Sequence, residues 1–179
     1  MAVAVGFGIV APVIPVFARQ FGVGRTAAGA VVSVFAFMRL AFGPAGGWLV
    51  NRFGERLVLA TGIGIVAVSS LGSGLAQTYG QLLGLRGAGG IGSVMFTVGS
   101  TSLLLRSVAP HQRGRANGVY YGGFLVGGVS GPFMGGVLGS VSLRLPFFVY
   151  AASLAAAGAI AMVFLARPLP TDGGPPPAG

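Results

Sequence analysis

Two arginines stand inside long apolar runs, Arg39 within Thr26–Val50 and Arg86 within Tyr79–Leu105, and the chemistry on offer is theirs. Counted along a helix, Arg39 falls near the middle of a bilayer and Arg86 about 10 Å from the outer end of its run. A charge at such depth costs about 2.5–3.5 kcal/mol on insertion scales. Each guanidinium should therefore face the protein interior, water or a partner. The only acids are Glu55 and Asp172, both outside the apolar runs, so neither arginine has a carboxylate partner in this chain. For Arg39, snorkelling or a hydrogen bond to backbone carbonyls is the expected role. His111, in the loop Pro110–Arg115, is expected to be an exposed interfacial residue rather than a proton switch. No nucleophile–base pair, metal-ligating cluster or phosphate loop is present in the sequence. Gly87–Gly92 is rich in glycine but follows no strand, so a nucleotide-binding reading fails. The expectation is no catalytic residue, no cofactor, no metal and no enzyme.

The elements that must hold these arginines follow from composition. Of 179 residues, 54% are hydrophobic and 7% charged, with a mean hydropathy of +0.87. Soluble domains carry about 25% charged residues, so this chain could not coat a water-facing surface. It reads as an all-α membrane protein with lipid around it. Its 34 glycines and 11 prolines are interleaved with Val, Leu, Ala and Phe and show no collagen period. The formal charge of +9 comes wholly from arginine, spread over short gaps rather than gathered into a nucleic-acid footprint, so no nucleic-acid partner is expected. Absence of cysteine excludes disulfides and thiolate metal sites.

A spanning helix needs about 20 apolar residues, and six segments qualify or nearly do: Met1–Ala18, Thr26–Val50, Leu57–Ala76, Tyr79–Leu105, Ala116–Leu138 and Leu145–Ala166. The first rises only about 27 Å, and Pro12 and Pro15 imply that it is bent. It lacks the basic flank and small-residue cleavage site of a signal peptide; its weakness points to a late start codon or a truncated gene. Arginine counts set the orientation. With the N-terminus inside, Arg52, Arg56, Arg106, Arg113, Arg115 and Arg167 are cytoplasmic, against Arg19, Arg25 and Arg144 outside. Both termini should then be cytoplasmic. Residues 168–179, rich in Pro and Gly, read as a flexible tail.

In the fifth span, Gly123, Gly127, Gly131 and Gly135 recur every four residues and form one helical ridge without side chains. Glycine inside a helix costs roughly 1 kcal/mol relative to alanine, so something should pack closely on that ridge, as small-xxx-small faces do in bilayers. Pro132 should bend the helix beside it. The run Gly43-Pro44-Ala45-Gly46-Gly47, late in the second span, echoes Gly131-Pro132-Phe133-Met134-Gly135-Gly136 in the fifth. The echo fits two inverted groups of three helices, a transporter habit.

Three motifs in order carry a resemblance. The turn Gly47-Trp48-Leu49-Val50-Asn51-Arg52-Phe53-Gly54-Glu55-Arg56 resembles the helix 2–3 signature GxxxDRxGRR of the major facilitator superfamily. Gly47, Arg52, Gly54 and Arg56 match; Asn51 stands in place of the usual Asp and Glu55 where a base is frequent. In the family that Asp charges a contact with the opposite half, so Asn51 should weaken that latch. Arg86-Gly87-Ala88-Gly89-Gly90-Ile91-Gly92 is similar to the helix-four motif RxxQGxG through Arg86, Gly90 and Gly92, with Gly89 in the Gln position. Gly118, Gly127, Gly131, Pro132, Gly135 and Gly136 match the helix-five pattern of the family's drug:proton antiporters. The resemblance implies a bundle of six transmembrane helices over residues 1–167, half of a facilitator fold built of 3+3 inverted repeats. A whole member has about twelve helices.

It further implies that Arg86 sits at the transport cavity and takes part in proton coupling; with no acid beside it in this chain, a proton-carrying carboxylate must come from a second half or coupling is absent. The function expected is drug efflux by proton antiport, the small-molecule substrate crossing near the midplane. Two alternatives are an uptake carrier for a small anionic metabolite, favoured by two buried arginines without a buried acid, and a non-transporting membrane subunit or inert fragment. The expected partner is a second six-helix half or a second copy, with Thr26–Val50 of one chain laid on the glycine ridge of its neighbour.

Overall fold

The computed structural model describes residues 2–165, with side chains described over 6–161. Arg167, Asp172 and the tail over 168–179 lie outside the described residues. Among the described residues seven α-helices follow in order: α1 Ala2–Val10, α2 Val13–Arg19, α3 Arg25–Phe53, α4 Glu55–Leu75, α5 Tyr79–Arg106, α6 Arg113–Val141 and α7 Leu145–Leu165. Among the described residues α3, α4, α5 and α6 are each long and apolar enough to cross a membrane, and the stretches Gly6–Arg19 and Leu145–Ala161 are shorter apolar helices.

Proline explains the break in the first span. Pro12 and Pro15 offer no backbone donor, and the helix parts at Ala11–Pro12 into α1 and α2. By contrast, α3 runs unbroken through Pro44 and α6 through Pro132. Helices also reach past their apolar runs where the sequence turns charged. The third helix continues to Phe53 rather than Val50, and the sixth begins at Arg113 rather than Ala116, after a 3-10 turn at Pro110–Gln112. Thr78 caps α5, its hydroxyl accepting from the Gln81 N–H at 3.3 Å, while Gln81 Oε1 accepts from the Gln77 N–H at 2.9 Å. This is the reciprocal logic of a capping box.

The packing repeats itself. The helix α5 lies chiefly against α4 and α3, α1 lies against α6 and α7, and α4 packs on α7. Exchanging α1–α2 with α5, α3 with α6, and α4 with α7 turns the α3–α5 contact into α6–α1 and the α4–α5 contact into α7–α1. The α4–α7 contact maps onto itself. Two inverted groups of three helices are therefore built into the contacts.

Missing side chains set the tightest distances. A Cβ placed on Gly62 of α4 would lie 2.5 Å from the Phe96 N and 2.9 Å from the Gly92 O of α5, and one on Gly99 would lie 2.9 Å from the Leu59 N. Two buried serines of α4 bond backward, Ser69 Oγ to the Val66 carbonyl at 3.0 Å and Ser73 Oγ to that of Ser69 at 2.7 Å, while the buried Ser70 hydroxyl has no partner. A larger apolar cluster runs along the bundle from Ile14, Phe17, Leu82 and Phe147 to Ile63 and Leu59; near its Leu82 end, Tyr79 Oη donates to the Ala27 carbonyl at 2.9 Å. Arg144 lies over the Phe17 ring there, 5.8 Å from its centroid. At the opposite end, Arg106 Nε meets Glu55 Oε1 at 2.8 Å.

Candidate functional site

The guanidinium of Arg86, on α5, is 4% exposed, lies 4.6 Å from the centroid of the Phe35 ring of α3, and leaves its Nε without a hydrogen-bond partner. The glycines after it make this possible. A Cβ on Gly90 would sit 2.6 Å from the Phe35 carbonyl, so only a bare position lets the α3 backbone come in and present the ring. Gly89 meets Ser69 Oγ of α4, and Gly92 meets Ile65 and the Gly62 carbonyl. Thus α5 is wedged between α3 and α4 by the motif's own glycines. Phe35 in turn stacks on Phe7 of α1, centroids 5.5 Å apart. A guanidinium on a desolvated ring gains up to about 2 kcal/mol, which partly offsets its burial.

One turn along α3 from Phe35, Arg39 points into a small cavity at the centre of the bundle. Every span contributes to its wall: Phe7 from α1, Arg39 from α3, Ile63 and Val66 from α4, Ser93 and Phe96 from α5, Phe124 from α6, Tyr150 and Leu154 from α7. The cavity measures about 20 Å³, room for a water or a group of similar size. Tyr150 is 3% exposed and shares the cavity wall with Arg39. Arg39 itself is half-buried on the cavity wall.

The α3–α4 turn has different work. Gly54 is the single residue between the two helices, at φ 82° and ψ 154°, a conformation open to glycine alone. Asn51, Arg52 and Arg56 are exposed, and a Cβ on Gly47 would meet nothing. Glu55, in the first turn of α4, pairs with Arg106 at the end of α5 and accepts from Ser102 Oγ at 3.3 Å. Each charge also sits at the helix terminus whose dipole favours it.

On α6, Gly123, Gly127, Gly131 and Gly135 are all buried. The backbone that meets the ridge belongs to α1 of the same chain: a Cβ on Gly131 would overlap Gly8 Cα and carbonyl carbon, and one on Gly135 the Ile9 carbonyl oxygen. Gly8 is bare in return, its would-be Cβ 2.6 Å from the Gly127 carbonyl. Gly118, Pro132 and Gly136 are exposed, and nothing lies within 4 Å of a Cβ on Gly118 or Gly136. This corrects the expected dimer arrangement. A ridge already covered by α1 cannot receive α3 of a neighbour.

Of the singled-out residues, the structure sets Arg86 and Gly90 against Phe35, one turn from Arg39 on α3, and keeps the α3–α4 turn and the α6 ridge apart from that centre. Sequence reasoning missed Phe35, Tyr150 and Gly8. The signal for the first two was the deficit it did record: buried guanidiniums without an acid need a ring or a hydroxyl. His111 is exposed as expected, and among the described residues no three His, Cys, Asp or Glu side chains gather as a metal site.

Apolar helices in an inverted repeat around a small polar centre define a multi-pass helical membrane protein. The family model for the Major Facilitator Superfamily matches residues 1–179, and the chain belongs to this family of transporters. It is 31% identical over 163 residues to Multidrug resistance protein 1 of Bacillus subtilis (strain 168), an alignment covering 91% of this chain and 42% of that protein. It is 29% identical over 143 residues to Quinolone resistance protein NorA of Staphylococcus aureus, covering 80% of this chain and 37% of that protein. The chain spans about two fifths of the length of these curated relatives.

Proposed function

We propose that the chain forms one six-helix half of a drug-efflux transporter of the proton-antiport type, in a bacterial plasma membrane with both termini cytoplasmic. The observation that carries this reading is the α6 seam. Three glycines of the antiporter pattern, Gly127, Gly131 and Gly135, are the ones pressed onto α1. Relatives whose names refer to multidrug and quinolone resistance support the same reading. Compounds would cross near the central cavity as this half rocks against a second one. The partner, a separate second half or another copy, would meet exposed apolar side chains such as Phe37, Leu40 and Trp48 on α3 and Leu125, Val129 and Phe133 on α6.

The test is drug accumulation in an efflux-deficient bacterium expressing the chain with its second half. Arg86→Ala should abolish efflux while leaving membrane expression intact, and Arg86→Lys should restore little, since the planar guanidinium stacks on Phe35 and an ammonium does not. Full efflux by Arg86→Ala would overturn the role given to that residue; no efflux by the unaltered pair would overturn the reading. A second reading, uptake of a small anionic compound, is favoured by Arg39 on the cavity wall and the buried Arg86, while the one described carboxylate, Glu55, is paired with Arg106. Accumulation rather than loss of the compound would select it.

A further inference from the structure

The centre of the bundle carries positive charge that nothing described neutralises. Arg39 and Tyr150 share the cavity wall, Arg86 is buried against Phe35, and the one carboxylate among the described residues, Glu55, is paired with Arg106 at the end of α5. Buried charges in proteins are paired or hydrogen-bonded, yet Arg86 Nε has no partner. The central cavity offers donors of its own. Arg39 contributes a guanidinium, which can only donate. Ser93 and Tyr150 contribute hydroxyls, while it is their carbonyls that are engaged, by Thr97 and Ser153. The remaining wall is apolar, with Phe7, Phe96 and Phe124 among its residues, and a low-dielectric wall strengthens attraction for a charge of the opposite sign.

We propose that the cavity bounded by Arg39, Ser93 and Tyr150 is an anion-binding site that takes a single monovalent anionic group, a carboxylate or a halide. Arg86, behind Phe35, supplies a second positive charge without reaching the group itself. A volume of about 20 Å³ holds a group near the size of a water and excludes a whole drug-sized molecule, so a carboxylate could enter only as the head of a larger compound opening the bundle, or as a free small anion. The site does not depend on the efflux reading; only the arrival of a carboxylate on a transported compound does.

The experiment is calorimetric titration of the purified chain in mild detergent, at constant ionic strength in a bulky sulfonate buffer, with acetate in one arm and chloride in the other. Saturable binding is expected. Arg39→Gln should weaken it about 10-fold or more, the effect of removing a hydrogen bond to a charged group, and Tyr150→Phe, which keeps the ring, about 3-fold or more. Acetate binding without chloride binding assigns the site to carboxylate heads; equal binding assigns it to a free small anion. No saturable heat in either arm overturns the proposal, as does wild-type affinity in Arg39→Gln. Should Arg39→Gln fail to fold, Tyr150→Phe decides: unchanged affinity overturns the site. Because no transport is measured, failure here leaves the efflux reading standing, and loss of efflux leaves this site standing.

Discussion

The helices α3 and α6 carry the same words, Gly-Pro followed by a Gly pair, and use them differently. On α6 the buried glycines face bare backbone, Gly8 and Ile9 of α1. On α3 only Gly46 is buried, and it faces the side chains of Val94 and Val98 of α5. Backbone cannot retreat, whereas a valine methyl can. The α6 contact is therefore a backbone seam and the α3 contact an ordinary side-chain fit. A short glycine-proline motif thus says that a helix packs closely somewhere. What it packs against depends on whether the partner is also bare.

Substitutions can break or sharpen that contrast. The largest effect is expected at the seam. Gly131→Ala places a methyl on Gly8, and because overpacking costs typically about 1–3 kcal/mol, thermal unfolding in detergent should fall clearly, with Gly131→Leu failing to yield folded protein. At Gly46 the would-be Cβ lies 2.9 Å from Val98 Cγ2 and 3.1 Å from Val94 Cγ1. A small rotamer adjustment relieves this, so Gly46→Ala should cost less than about 1 kcal/mol, and Val98→Ala should rescue it. No change in Gly8 could rescue Gly131→Ala in the same way. The smallest effect belongs to Gly118 and Gly136, where a methyl meets nothing. Gly118→Ala should leave folding unchanged or stabilise by up to about 1 kcal/mol through helix propensity. Equal losses at positions 131 and 118 in one unfolding series would erase the distinction between seam and open face.

The same contrast explains what could be read in the chain without coordinates. The spans were legible because lipid enforces long apolar runs. The inverted repeat showed through the Gly-Pro echo, and the ridge through a four-residue period that only a close contact sustains. Its partner was not legible. Gly8 is a single glycine in a short, proline-broken span, and one small residue carries no period. Nor was the centre legible beyond its arginines. Phe35 and Tyr150 are aromatic residues among the many of an apolar sequence, and only three-dimensional proximity distinguishes them. Glu55 looked like a departure from the family's turn; instead it holds α4 to α5 through Arg106 and Ser102.

The joint at Gly54 has a mechanical corollary. Two long helices meet at one residue and touch each other little along their lengths, with α5 packed against both, so Gly54 joins α3 and α4 as the pin joins the legs of a pair of compasses. Arg39 rides on one leg, Ile63 and Val66 on the other. A few degrees of spread at the pivot becomes a displacement of ångströms halfway along, where these side chains face each other. Any such spread would widen the cavity from a point a membrane half-thickness away, at a joint whose backbone only glycine adopts.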